Sequence, residues 1–322
     1  MPSDISKKEK ILALLTVFGL FSAVGLLLFA ISYNNKVKTD ILNIKAKHNQ
    51  SVITATKKLE AVQYNQSTST ESALTAKSYI TVAVGGENVK KILAEKNPNQ
   101  LLPIASITKL VVALVALDNL DPETKITATL DYIGKEESAF VVETDRTYTV
   151  MELLSNALVS SDNDSARLLA SALGENNFIS KMNAKAVELG LNKTHYVNVT
   201  GLDPLDQAQG INVSTVTDLV NLVIYIMRNK PGIFDITAKT EYNFCDTLNY
   251  CKPVLSTDKL LVDTSLPYRI IGGKTGSTDL AQKNLILVTE LTADLFLVNV
   301  VLGSSDNFID TKALISQVII NN

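Results

Sequence analysis

The chain has 322 residues, 46% of them hydrophobic, which is enough for one large buried core or two small ones. Its formal net charge of -3 argues against nucleic acid as a partner, because phosphate binding wants a basic surface. There is no tryptophan, and the two histidines, His48 and His195, lie far from the two cysteines, Cys245 and Cys251, so no metal site and no cofactor is expected.

Lys7, Lys8 and Lys10 stand in a basic tail, residues 1–10, ahead of an apolar run at 11–31. About 20 such residues cross a bilayer. A cleaved signal has a shorter apolar core, and Ala30-Ile31-Ser32 makes a poor cleavage site. The reading is therefore an uncleaved, single-pass anchor in the cell membrane, with the basic flank inside and the body of the protein extracytoplasmic. Residues 32–77 are polar and read as a stalk, with some helical spacing at Ile41, Ile44, Val52 and Leu59; a short coiled coil is the alternative. The string Asn65-Gln66-Ser67-Thr68-Ser69-Thr70-Glu71-Ser72 reads as a flexible linker.

Order is expected from 78 to 322 as one domain. Residues 79–84 and 89–94 have strand character around Gly85-Gly86-Glu87-Asn88, a hairpin signal. Ser106 then opens an expected helix to Asn119 that is apolar nearly all round, so it belongs in the middle of a domain. Helices are expected over 149–159, 166–173 and 178–189, the second following a break at Ser160-Ser161-Asp162-Asn163-Asp164 and the third closed by Gly190. Thr215-x-x-Asp218 is a capping box for a helix to about Asn229. Strand character returns at 240–244. Cys245 and Cys251 flank a short loop and could bridge across a hairpin outside the cytoplasm, or remain two free thiols. Strands at 284–291 and 295–302 follow, and 306–320 reads as a terminal amphipathic helix. Strands, then helices, then strands again fit one antiparallel sheet built from both chain ends, with a helical subdomain inserted.

Three short motifs carry chemistry. Ser106 and Lys109 lie one helical turn apart at the N-terminal end of the buried helix, where backbone N–H groups favour developing negative charge. Ser161-Asp162-Asn163 sits at the break between two helices, and Lys274-Thr275-Gly276 follows Gly272-Gly273 in a strand setting. Each alone is a common string; a cap, a turn or a strand end would explain it. Together, in this order, they match the set used by penicillin-interacting serine enzymes. Acyl transfer needs a nucleophile (Ser106), a base (Lys109), a proton route to the leaving amine (Ser161), an amide for the substrate backbone (Asn163) and a clamp on a carboxylate (Lys274, Thr275). Gly272, Gly273 and Gly276 would leave room for a substrate strand along the sheet edge. His195 reads as structural.

With those residues in hand, the chain from residue 78 onward resembles the serine-type D-alanyl-D-alanine carboxypeptidases, the low-molecular-mass penicillin-binding proteins of the peptidase S11 type. Leu102-Pro103-Ile104-Ala105-Ser106-Ile107-Thr108-Lys109, the run from Thr194-His195-Tyr196-Val197-Asn198 through Gly201-Leu202-Asp203, and Ser256-Thr257-Asp258-Lys259-Leu260-Leu261 all look like segments of that family. The resemblance implies an α+β, β-lactamase/transpeptidase-like fold. It implies removal of the terminal D-alanine from peptidoglycan stem pentapeptides through an acyl-enzyme on Ser106, with β-lactams as covalent inhibitors. It also implies an oxyanion hole from the backbone N–H groups of Ser106 and Ser277. Asp162 departs from the glycine often found there, and the chain stops soon after the terminal helix, so the family's C-terminal β-domain is expected to be missing. Two rivals remain. A class A β-lactamase shares the motifs, and Glu188-Leu189-Gly190-Leu191-Asn192 matches its deacylating string, although Glu188 comes too soon after Ser161. The other is a non-catalytic, penicillin-recognising wall sensor.

Overall fold

The computed structural model describes residues 7–65, 74–86, 89–134, 141–206, 208 and 210–320, with the backbone alone at 7–15 and 17–29. It divides into two units, Met1–Thr54 and Ala55–Asn322. The first is built on a single long helix, α1 (Lys7–Ala61), whose last turns belong to the second unit. From residue 30 to 54 its described side chains are exposed apart from the half-buried Val37 and Val52, and the exposed ones include Ile41, Leu42, Ile44 and Ile53. The expected membrane crossing at 11–31 falls almost wholly on side chains outside the described ones. Among the described residues no helix is long and apolar enough to cross a membrane.

The second unit begins well before Ser78, which corrects the stalk expected over 32–77. Ala55, Leu59 and Val62 are buried. Their spacing gives one apolar face to the end of α1, and lysines between them hide it in the sequence. The strand β1 (Val62–Tyr64) then pairs antiparallel with β13 (Val318–Ile320). The linker at 65–72 lies, beyond Asn65, outside the described residues.

The expected hairpin is present as β2 (Ser78–Gly85) and β3 (Lys90–Lys96); Glu87 and Asn88 of its turn lie outside the described residues. After β4 (Leu102–Pro103), a 3-10 turn, Ala105–Thr108, runs into α2 (Lys109–Asn119). Every residue of α2 from Lys109 to Ala116 is buried, so the helix that is apolar all round is indeed central. β5 (Lys125–Thr127) pairs with β6 (Thr147–Thr149). Then come α3 (Val150–Val159), capped by the Thr149 side chain, α4 (Asn163–Ser171) and α5 (Glu175–Glu188). Gly190 closes α5 at φ 68: its N–H meets Val187 O while Leu191 N–H meets Ala186 O, the paired bonds of a Schellman end.

β7 (Val213–Ser214) pairs with β4, and His195 exchanges backbone bonds with Val213. In α6 (Val216–Asn229) the capping box is only half formed. Thr215 accepts from Asp218 N–H, while the Asp218 carboxylate is drawn to Lys193 N–H and the Thr194 hydroxyl. After α7 (Gly232–Thr237), β8 (Glu241–Cys245) and β9 (Cys251–Leu255) form a hairpin whose end is closed by a Cys245–Cys251 disulfide.

Three long strands follow: β10 (Arg269–Thr278), β11 (Gln282–Thr292) and β12 (Leu295–Ser304). The main sheet is antiparallel in the order β10-β11-β12-β2-β3, joining both ends of the unit as expected. Ile286, Val288, Val298 and Val300 face the helical insert with α2; Leu285, Leu287 and Leu297 pack instead with Leu59, Val62 and Ile315. Burial of both faces explains why β11 and β12 read as continuous apolar runs rather than alternating ones. The terminal helix α8 (Asn307–Ser316) is shorter than the expected 306–320, because its last residues leave it to form β13 opposite β1.

Candidate active site

The nucleophile segment is a strained turn ahead of a rigid rod. Ala105 sits in the left-handed region at φ 48, a conformation that a residue with a Cβ rarely adopts and one that recurs at functional sites. Ser106 lies in the 3-10 turn rather than as first residue of the α-helix. An i, i+3 pair eclipses in such a turn, so Lys109 still comes back over Ser106. Lys109, 1% exposed, donates to Ser106 Oγ at 2.8 Å, Asn163 Oδ1 at 2.7 Å and Thr200 O at 3.0 Å.

The second motif comes from the turn between α3 and α4. Ser161 is left-handed at φ 64, and Asp162 caps α4 by accepting from Ser165 N–H at 2.7 Å. The cap fixes Asn163 at the helix start, within reach of Lys109. The third motif lies on β10, the outer strand of the sheet. Lys274, 2% exposed, donates to Ser161 Oγ at 2.9 Å and Thr275 O at 3.0 Å. Burial pushes its pKa down to about 7, against the opposing charge of Asp258. Thr275 Oγ1 meets Thr257 Oγ1 at 2.5 Å.

Gly276 holds the strand against the nucleophile turn. A Cβ there would come within 2.8 Å of Ile104 O and 3.1 Å of Ser106 N. Ser277 follows, exposed on the same outer strand. Two glycines have a different use from the one expected. A Cβ on Gly272 would meet Thr237 Oγ1 at 2.5 Å, and one on Gly273 would meet Ile286 O at 2.2 Å. They admit the close packing of α7 and β11, not a substrate.

Lys109 thus joins Ser106 to Asn163, Lys274 joins β10 to Ser161, and Gly276 packs on the Ser106 turn, so the three distant stretches that carry Ser106, Lys109, Ser161, Asn163, Lys274, Thr275, Gly276 and Ser277 meet where the helical insert reaches the sheet edge. A sequence profile of the D-alanyl-D-alanine carboxypeptidases, Peptidase S11, matches residues 65–306. The chain belongs to this family. The D-alanyl-D-alanine carboxypeptidase DacB2 of Mycobacterium tuberculosis is 36% identical over 197 residues, covering 61% of this chain and 65% of that protein. The D-alanyl-D-alanine endopeptidase of Escherichia coli is 31% identical over 207 residues, 63% and 64% of the two chains. The chain therefore spans just under two thirds of the length of these relatives. Among solved structures, a D-alanyl-D-alanine carboxypeptidase from M. tuberculosis H37Rv superposes with TM-score 0.66 at 31% identity, over 74% of this chain and 89% of that one. Penicillin-binding protein D2 from Listeria monocytogenes, solved in its ampicillin-bound form, gives TM-score 0.61 at 28% identity, over 76% and 97%.

Within this carboxypeptidase-family fold, several residues of the site carried no role in the sequence reading. Thr200 presents its carbonyl to Lys109 from a loop wired by two asparagines. Asn198 Oδ1 accepts from Gly201 N–H at 2.7 Å and Thr200 N–H at 3.2 Å. Asn212 Oδ1 accepts from Val197 N–H and Asn198 N–H, while its Nδ2 donates to Thr108 Oγ1 at 2.9 Å. Gly201, at φ 84, lets this loop pack on the nucleophile turn: a Cβ would lie 2.0 Å from Ala105 O. Asp203 ties the same loop to the end of β10 by accepting from Thr278 Oγ1 and Leu280 N–H. The segment 198–203 resembles the family in sequence, yet nothing local marks a backbone carbonyl as a ligand for a lysine.

Glu188, the residue of the β-lactamase-like string, is remote. It pairs with Lys185, which also reaches Asp118, nine residues along α2 from Lys109 and so about 14 Å down the helix. Among the described residues no group of three or more His, Cys, Asp or Glu could hold a metal ion.

Proposed function

We propose that the protein is a serine-type D-Ala-D-Ala carboxypeptidase that removes the terminal D-alanine from peptidoglycan stem pentapeptides, and that β-lactams acylate the same serine. The observation that carries this reading is the pair of buried lysines. One meets the Ser106 hydroxyl at 2.8 Å and the other meets Ser161 at 2.9 Å, so three motifs form one proton and charge circuit.

In the proposed cycle Lys109, in its amine form, accepts the Ser106 proton as Oγ attacks the carbonyl of the penultimate D-alanine. The backbone N–H groups of Ser106 and Ser277 receive the oxyanion. Asn163 orients Lys109 through Oδ1 and offers its amide to the substrate backbone. Lys274 and Thr275 hold the terminal carboxylate. As the tetrahedral adduct collapses, the C–N bond breaks, and the proton on Lys109 passes through Ser161 to the leaving amine of D-alanine. Water then attacks the acyl-enzyme, gives its proton back through Lys109 to Ser106 Oγ, and frees the shortened peptide. The remoteness of Glu188 favours slow loss of a penicilloyl group, unlike a β-lactamase.

The lysine-flanked apolar run at 11–31 serves as a single-pass membrane anchor in this reading, with the catalytic unit outside the cytoplasm. A disulfide suits an oxidising compartment. The test is labelling with a fluorescent penicillin, wild type beside Ser106→Ala, with a pentapeptide ending in D-Ala-D-Ala and a cross-linked dimer as parallel substrates. A stable label on the wild type, none on the variant, and release of D-alanine from the pentapeptide are expected. An unlabelled wild type, or equal labelling of both, would overturn the assignment. Labelling without turnover would favour a wall sensor.

A further inference from the structure

One buried acid beside the carboxylate clamp has no part in that cycle. Asp258 precedes the 3-10 segment Lys259–Val262 and is 6% exposed. Its Oδ1 accepts from Leu260 N–H at 3.0 Å, capping the segment. Its Oδ2 is buried and makes no hydrogen bond among the described residues. Leaving a carboxylate oxygen unpaired away from water is costly, and a turn cap alone does not require it: an asparagine would cap equally well. The adjoining residue ties this segment to the end of α3 and to the clamp strand. Thr257 N–H donates to Val159 O at 3.2 Å, just before the Ser161 turn, and Thr257 Oγ1 meets Thr275 Oγ1 on β10.

Lys274 is the group that this carboxylate can serve. Its ammonium is buried against two neutral acceptors, Ser161 Oγ and Thr275 O, and neutral dipoles do not offset the loss of water around a cation. Burial lowers its pKa to about 7, and Asp258 is the charge that opposes the fall. Burial likewise raises Asp258 to about 6, against Leu260 N–H and the Lys274 charge. The other charges nearby are otherwise engaged or exposed. Lys109 from α2 reaches Ser106, Asn163 and Thr200. Asp162 caps α4. Lys259 on the same segment, Asp235 on α7 and Glu241 on β8 are exposed, and the β11 partner of Lys274 is Ile286.

We propose that Asp258 is a positioning residue whose buried, unpaired carboxylate oxygen keeps Lys274 in the charged form that a substrate carboxylate needs, and so sets the upper pH limit of substrate capture. The inference rests on the clamp role given to Lys274 above. The Lys274 charge is present below its own pKa and lost as pH rises through it; the Asp258 charge is present above the pKa of that carboxyl. Removing the Asp258 charge takes away the one influence that raises Lys274, so Lys274 loses its proton at lower pH.

The test is Asp258→Asn, which keeps an acceptor for Leu260 N–H. It is read as kcat/KM on the pentapeptide and as the rate of penicillin acylation across the pH range. The alkaline limb should move toward acid, with activity on the order of tenfold lower at about pH 8 and little changed at about pH 6, the size of a one-unit shift. A uniform loss at every pH, with the limb in place, would reduce Asp258 to a turn cap and overturn the proposal. If the variant fails to fold, wild-type protein with ¹³C-labelled lysine gives the answer, the Lys274 signal being assigned by its absence in Lys274→Arg. Lys274 should titrate near neutrality and also sense a carboxyl titrating in mild acid; no acid-range response sinks the idea. A wild type that penicillin never labels defeats the functional reading itself, whereas an unmoved limb in a variant that still labels defeats only this inference.

Discussion

The two walls of the site, the helical insert and the sheet edge, each bury a lysine, and they hold it by different means. On the helical wall Lys109 meets three acceptors, and each is itself fixed: Ser106 by the strained turn, Asn163 by the Asp162 cap, Thr200 by the Asn198 and Asn212 wiring. On the sheet edge Lys274 meets two neutral acceptors and relies on a carboxylate that does not touch it through a hydrogen bond. The first arrangement places an atom. The second keeps a charge. That division suits the chemistry, since a base must lie within bonding distance of one hydroxyl, whereas a clamp must stay positive and keep a donor for a carboxylate that comes and goes. A charged lysine has three N–H donors, and protein acceptors engage two of those of Lys274.

The sharpest way to break the comparison is Lys109→Ala. It strips the donor from Ser106 Oγ, Asn163 Oδ1 and Thr200 O together, and penicillin acylation should fall by at least about a thousandfold. Because the Asn198–Asn212–Thr108 wiring does not pass through Lys109, circular dichroism should still show a cooperatively folded protein. A collapse of the fold would mean that the lysine, not its surroundings, holds the helical wall. A middle-sized effect comes from the seam between the walls. In Gly276→Ala the new methyl would press on Ile104 O and the Ser106 amide, shifting the nucleophile turn by a fraction of an ångström or more. Acylation should drop about a hundredfold, the scale on which misplaced reacting groups lose rate. Unchanged kinetics would show that the walls move independently. The smallest effect on activity should come from Cys245→Ser, far from either lysine along the chain. Opening this short loop should cost about 2 kcal/mol in a chemical melt and leave penicillin acylation within about twofold. A larger kinetic loss would tie the β8–β9 hairpin to the sheet-edge wall, with which it is joined by the segment carrying Thr257 and Asp258.

Much of this arrangement is legible residue by residue. The hairpin of β2 and β3, the apolar helix α2, the Thr215 cap, the Gly190 end and the break at Ser161 all follow from spacing that reports on a few neighbours at a time. Two kinds of feature escaped. Short strands such as β1 and β13 have no periodicity of their own, and their pairing joins residues at opposite ends of the unit. Glycines beside a motif look like room for a substrate, but whether the space is open depends on what packs there. For Gly272 and Gly273 the neighbours are α7 and β11.

The sequence by itself set out the three motifs, their order along the chain and the strand–helix–strand pattern of one antiparallel sheet with a helical insert, because these depend on residue type and local spacing. Tertiary structure alone decided which acceptors surround each lysine. Thr200 reaches Lys109 across 91 residues, and Ser161 reaches Lys274 across 113. It also decided that Asp258 would lie buried with one oxygen unpaired near a buried cation. Burial and through-space charge belong to the packed molecule. No local string encodes them, since the water that a lysine loses is displaced by residues far away in the chain.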